Sequence, residues 1–129
     1  MSIYVAGKWD DKENIIQRQL QFQSLGYKIT HDWTKNECVT RNPEELGKFA
    51  MLDINGVLEA DYLVAVMTDT KYAYRGTFTE IGCALGTNKK IYIYCPDKNS
   101  HCRTNCFFYH PNIVHFDDWD KLVEHLLTN

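Results

Sequence analysis

The chain reads as an α/β domain built on one parallel sheet. Short apolar runs rich in β-branched and aromatic residues alternate with helix-length amphipathic segments. The run from Asp61 to Met67 is almost continuously apolar, as a strand covered on both faces must be. At 129 residues and 15.1 kDa the chain fits a single domain spanning 1–129.

The elements follow in order. Ile3 to Ala6 form a first strand ending at Gly7, and a polar-led helix runs from Asp10 to about Leu25, with Gly26 as its stop. Tyr27 to Thr30 can make a second strand. A polar loop over 31–42 leads to Pro43 in the first turn of a second helix, where Glu44 and Glu45 suit the positive end of the dipole. This helix is expected to bury Phe49, Leu52, Val57 and Leu58, so Asp53 interrupts an apolar face. After the central strand at 61–67 and a loop over 68–75, Gly76 to Gly86 make a helix whose small residues permit close approach to the sheet. Lys90 to Tyr94 and Ile113 to Phe116 are the last strands. Trp119, Leu122, Val123 and Leu126 fall at i, i+3, i+4, i+7 and mark a closing amphipathic helix. Right-handed crossovers then predict a flavodoxin-like, doubly wound sheet of order 2-1-3-4-5. Its ligand crevice is expected beyond the carboxyl ends of the first and third strands.

Composition excludes several function classes. Fourteen basic against 17 acidic residues leave a formal charge of -3, without the basic field that drives polynucleotide binding. No apolar run approaches the roughly 20 residues of a membrane span. Five cysteines (Cys38, Cys83, Cys95, Cys102, Cys106) are an odd number in a chain without a leader-like opening, which predicts free thiols and a cytoplasmic location. Cys102 and Cys106 lie near His101, His110 and His115, but this spacing fits no common zinc site and no second cysteine pair completes it. No metal or other cofactor is expected. Dinucleotide, P-loop, serine-hydrolase and zincin motifs are all missing from the sequence.

The chemistry then rests on carboxylates. Glu80 lies one turn into the helix that opens at the predicted crevice, flanked by Gly76, Ile81 and Gly82. A surface glutamate complementing the helix dipole is the plain alternative. Asp53 has the corresponding alternative of a partly exposed helix position. Tyr4 belongs to a core strand, where a buried hydroxyl needs a partner.

Three segments taken together, Ile3-Tyr4-Val5-Ala6-Gly7-Lys8-Trp9, Asp53-Ile54-Asn55-Gly56 with Ala60-Asp61, and Gly76-Thr77-Phe78-Thr79-Glu80-Ile81-Gly82-Cys83-Ala84-Leu85, resemble the nucleoside 2-deoxyribosyltransferase family. That family includes the 2'-deoxynucleoside 5'-monophosphate N-glycosidases. The resemblance implies that Glu80 is the nucleophile at the anomeric carbon, that Tyr4 orients it, and that Asp53 meets the nucleobase as general acid. It also implies that Trp9 belongs to the base pocket and that Asn105 reaches a neighbouring subunit's site. A homo-oligomer with shared sites is therefore expected, acting on a small deoxynucleoside or deoxynucleotide and a nucleobase.

The physical demands of the reaction agree with these roles. An oxocarbenium-like transition state needs an anion on one face of the sugar and a proton donor at the leaving group. The sequence departs from the family at Tyr74, where transferases carry an aspartate for the sugar 5'-hydroxyl and the monophosphate glycosidases a serine. Asp69 could replace it only if the loop folds back. Arg75 next to Tyr74, Lys8 and Arg103 are the cations available to a 5'-phosphate, with Gly7 and Gly76 lining the crevice. The expected activity is deoxyribosyl transfer between nucleobases, with hydrolysis of 2'-deoxynucleoside 5'-monophosphates as the alternative. A non-catalytic nucleotide-binding module is the alternative from another class.

Overall fold

A computed structural model describes residues 1–37 and 39–128. Five parallel strands, β1 (Ser2–Ala6), β2 (Lys28–Ile29), β3 (Tyr62–Val66), β4 (Lys90–Tyr94) and β5 (Ile113–Phe116), lie in the order β2-β1-β3-β4-β5. This is the predicted topology. Tyr4 pairs with Leu63 and Leu63 with Ile91, so the middle of the sheet is one apolar layer. All of β3 is buried, as its unbroken apolar run requires.

Helices cover both faces. On one, α1 (Lys12–Ser24) buries Ile15, Gln19 and Phe22 at helical spacing, and Phe22 meets Trp119 of α4 (Trp119–Thr128) edge-on. On the other, α2 (Pro43–Glu59) packs beside α3 (Arg75–Gly86). Gly56 is what lets α2 approach β1. A Cβ there would lie 2.6 Å from His31 Cβ and 3.0 Å from the Tyr4 ring, so any larger residue would push the helix off the strand.

Three local expectations are corrected. β2 is shorter than the predicted 27–30 strand, because only Ser2 and Ile3 are in register with it at this edge of the sheet. The helix after β3 begins at Arg75, and Tyr74 supplies its N-terminal boundary in a left-handed conformation (φ 53°). In α2, Val57 is buried and Phe49 half-buried, but Leu52 (47% exposed) and Leu58 (41%) face outward. The inward arc is occupied instead by Asp53, Gly56 and Val57. Met51 and Leu58, seven residues apart, therefore lie outside, with the half-buried Ile54 between them.

Candidate active site

Each site residue is placed by a different element. Tyr4 is fully buried in the middle of β1, so its ring cannot move and its hydroxyl is fixed in space. Glu80 projects from the second turn of α3, and Tyr4 Oη donates a short hydrogen bond to its Oε2. Thr77, one turn earlier, donates through Oγ1 to Gly7 O (3.3 Å), anchoring the start of α3 to the turn after β1. Asp53 comes from the inward arc of α2. Asn36 Nδ2 donates to Asp53 Oδ1 (3.0 Å), and His31 Nε2 lies 3.2 Å from the same oxygen.

Burial raises both carboxyls, and each has a hydrogen-bond donor that opposes the rise. Burial, with the Asp53 charge nearby, pushes Glu80 up to about 8, while the Tyr4 hydroxyl pulls it back by favouring the ionised form. Burial also raises Asp53, and Asn36 and His31 oppose that rise. Tyr4 is driven far above the ordinary phenol range by burial and by both carboxylates, so it stays a donor. Both carboxyls are thus pushed toward their protonated forms, and the fixed Tyr4 hydroxyl is the group that favours ionised Glu80.

Asp53 opens onto a cavity of about 300 Å³ lined by Trp9, Trp33, Asn36, Arg41 and Phe49. Trp9 and Trp33 lie 6.3 Å apart, and Trp33 is fixed by its Nε1 donating to Val5 O (2.6 Å). Of these, only Trp9 and Asp53 were anticipated from sequence. His31, Trp33, Asn36 and Arg41 come from the polar 31–42 loop, which has no periodicity to reveal a face. The one cue there is Asp32, whose carboxylate accepts from Thr34 N–H (3.1 Å) and folds Trp33–Lys35 into a 3-10 turn.

The other anticipated residues fall into separate groups. The loop after β3 does fold back: the Tyr74 hydroxyl accepts from Asp69 N–H (3.0 Å), and Lys8 Nζ pairs with Asp69 Oδ2 at 2.5 Å. That contact holds the Asp69 carboxyl below, and the Lys8 ammonium above, its ordinary range. Tyr74 itself is buried, so it props the loop rather than facing the crevice. Arg75 is exposed and shares a cavity of about 340 Å³ with Phe78, His101 and Asn105. Asn105 caps the 3-10 turn at Cys106–Tyr109 by accepting from Phe107 N–H (2.9 Å), and Gly76 has open space above it. Arg103 donates to the carbonyls of Asp97 (3.1 Å) and Cys95 (2.9 Å), which commits it to bracing the β4–β5 connection. Cys83, Cys95, Cys102 and Cys106 are free thiols, while Cys38 lies outside the described residues. Among the described residues, no group of three or more metal-ligating side chains forms and no helix is long and apolar enough to cross a membrane.

This flavodoxin-like sheet, with a tyrosine-held glutamate and an aspartate beside an aromatic pocket, belongs to an enzyme of glycosyl transfer or N-glycoside cleavage, as the family it matches shows. The chain belongs to the nucleoside 2-deoxyribosyltransferase family, which it matches over residues 3–124. Among solved structures it is similar to the 2-deoxyribosyltransferase of the psychrotolerant bacterium Bacillus psychrosaccharolyticus. The TM-score is 0.75 at 17% identity, over 95% of this chain and 90% of that one. It is also similar to the CMP N-glycosidase of Clostridium botulinum, with a TM-score of 0.63 at 19% identity, over 99% of this chain and 98% of that one. No curated protein matches the chain by sequence.

Proposed function

We propose that the protein transfers a 2-deoxyribosyl group between nucleobases by double displacement, and that the contact of Tyr4 with Glu80 carries this reading. Ionised Glu80 attacks the anomeric carbon as the bond to the base nitrogen breaks, and the electron pair of that bond leaves with the base. Asp53 gives its proton to the departing ring, and a glycosyl ester on Glu80 results. A second base then attacks the same carbon, its ring proton passes to Asp53, and Glu80 is released. Trp9 and Trp33 flank the base, and the folded-back Asp69 carboxylate suits a sugar 5'-hydroxyl. Free thiols suit a reducing cytoplasm. A homo-oligomer that completes the open crevice fits the exposed apolar row on α2.

One observation favours a second outcome. Arg75 is an exposed cation at the start of α3, where a 5'-phosphate could be met, and water in place of the second base would give hydrolysis of deoxynucleoside 5'-monophosphates. The C. botulinum protein of the same fold is a CMP N-glycosidase. Incubating the protein with each deoxynucleoside and deoxynucleotide, with and without an acceptor base, separates these. Base exchange that requires the acceptor supports transfer, and free base released from monophosphates alone supports hydrolysis. A silent panel, or activity unchanged in Glu80→Ala, overturns both.

A further inference from the structure

The cavity beside Asp53 contains one charged side chain that the double displacement does not use. Arg41 lines it, and the Arg41 backbone is held in the left-handed region (φ 55°). Glu45 does the holding: its Oε1 accepts from Thr40 N–H (3.1 Å) and Arg41 N–H (3.0 Å), while its own N–H donates to the Asn42 side chain (2.8 Å). This is a capping arrangement at the start of α2, extended one residue back, and it fixes where Arg41 projects. The guanidinium itself makes no hydrogen bond or ion pair among the described residues.

Asn36 and Asp53 hydrogen-bond each other, which leaves the guanidinium as the cavity's unengaged charged donor. A guanidinium has five N–H donors in a planar fork and no acceptor. The Asn36 NH2 group is engaged in donating to Asp53 Oδ1, and a protonated Asp53 would add one further donor. Trp9, Trp33 and Phe49 supply flat apolar walls. A planar ring lying against these walls and meeting the fork edge-on fits where two acceptors stand side by side. Cytosine offers O2 with N3, and guanine or hypoxanthine offers O6 with N7. Thymine and uracil place N3–H beside O2, and adenine places its amino group beside N7, so each sets a donor against a donor.

We propose that Arg41 is the specificity-determining residue of the base site and selects bases with two adjacent acceptors. The proposal rests on the reading that the cavity beside Asp53 takes the leaving base.

Binding of free bases tests it without any bond being broken. Calorimetry with cytosine, hypoxanthine, thymine and adenine should show the first two binding at least about 10-fold tighter than the last two. Arg41→Met should remove that preference while leaving adenine affinity within about two-fold, which also shows that the pocket is folded. Arg41→Lys, a point charge without the fork, should keep only part of it. A wild-type protein that prefers thymine or adenine, that binds no free base, or whose preference survives Arg41→Met overturns the proposal. Base preference without cleavage of any deoxynucleoside would leave Arg41 as assigned and remove glycosyl transfer. Cleavage without preference would do the reverse.

Discussion

The Tyr4 hydroxyl reaches Glu80 across 76 residues of sequence, and it is the hydrogen bond that ties the middle of β1 to the second turn of α3. One partner is immobile in the sheet and the other sits on a helix that Thr77 anchors to Gly7. A nucleophile held in this way needs little reorganisation to meet an anomeric carbon. Burial opposes its ionisation, and the hydrogen bond restores part of what burial takes away.

The pH dependence of glycosyl-enzyme formation follows from that opposition. Attack requires ionised Glu80, so with a deoxynucleoside whose base leaves without acid assistance the rate should rise with pH and reach half its limit near the Glu80 value of about 8. Tyr4→Phe removes the group that lowers this value. The limb should move to higher pH and the rate should fall about 100-fold. Asp53→Asn removes the charge that raises it, so the limb should move down. Single-turnover rates across pH check both directions, and an unmoved or lowered limb in Tyr4→Phe contradicts the assignment.

The same burial has a cost in stability. Between the ordinary glutamate value of 4.5 and about 8 the folded state holds a Glu80 proton that the unfolded chain has lost. Stability should therefore fall as pH rises through this window and stay reduced above it. Glu80→Gln cannot ionise, so its melting temperature should exceed that of the wild type by a few degrees at pH 9 and by little at pH 5. Thermal melts at the two values test this, and a constant offset would show that Glu80 ionises freely in the folded protein.

The fold was readable because its information is periodic. Continuous apolar strands, helical spacing and a Pro-Glu-Glu helix start are local patterns, and together they gave the strand order. Glu80, Asp53 and Tyr4 were readable because each breaks a pattern by placing a polar group on a face that packs inward. His31, Asn36 and Arg41 break no pattern. They lie in a polar loop, and only tertiary folding against α2 brings His31 and Asn36 onto Asp53 and Arg41 into the lining of the same cavity. Leu58 misled for the opposite reason, since helical spacing shows that an apolar face exists without showing what covers it.

The pair of Lys8 and Asp69 bears on the 5' end of the substrate. At 2.5 Å the two charges largely cancel, which suits a neutral 5'-hydroxyl better than a phosphate. Asp69→Asn should raise KM for deoxynucleosides and leave Lys8 uncompensated, improving kcat/KM for deoxynucleoside 5'-monophosphates by about 10-fold. Lys8→Met in the same background should abolish that gain. Equal effects on both substrate types would show that the pair only braces the loop.

The outer row of α2 makes the assembly testable. Met51 is 67% exposed and Leu58 41%, two turns apart on one face. An apolar row along a 17-residue helix is a natural centre for an isologous contact, in which the helix packs against its own copy about a two-fold axis. A stable contact of that kind needs about 1,000 Å² or more of total buried surface, so flanking residues must join it. Met51→Glu with Leu58→Glu would place like charges face to face at the centre. The variant should sediment as a monomer while its melting temperature stays close to that of the isolated chain, because both side chains already face outward. Its activity should fall together with the oligomer if a neighbouring copy completes the crevice. A wild-type protein that is monomeric at working concentration and fully active would refute the shared site, and a monomeric variant with undiminished activity would separate assembly from catalysis.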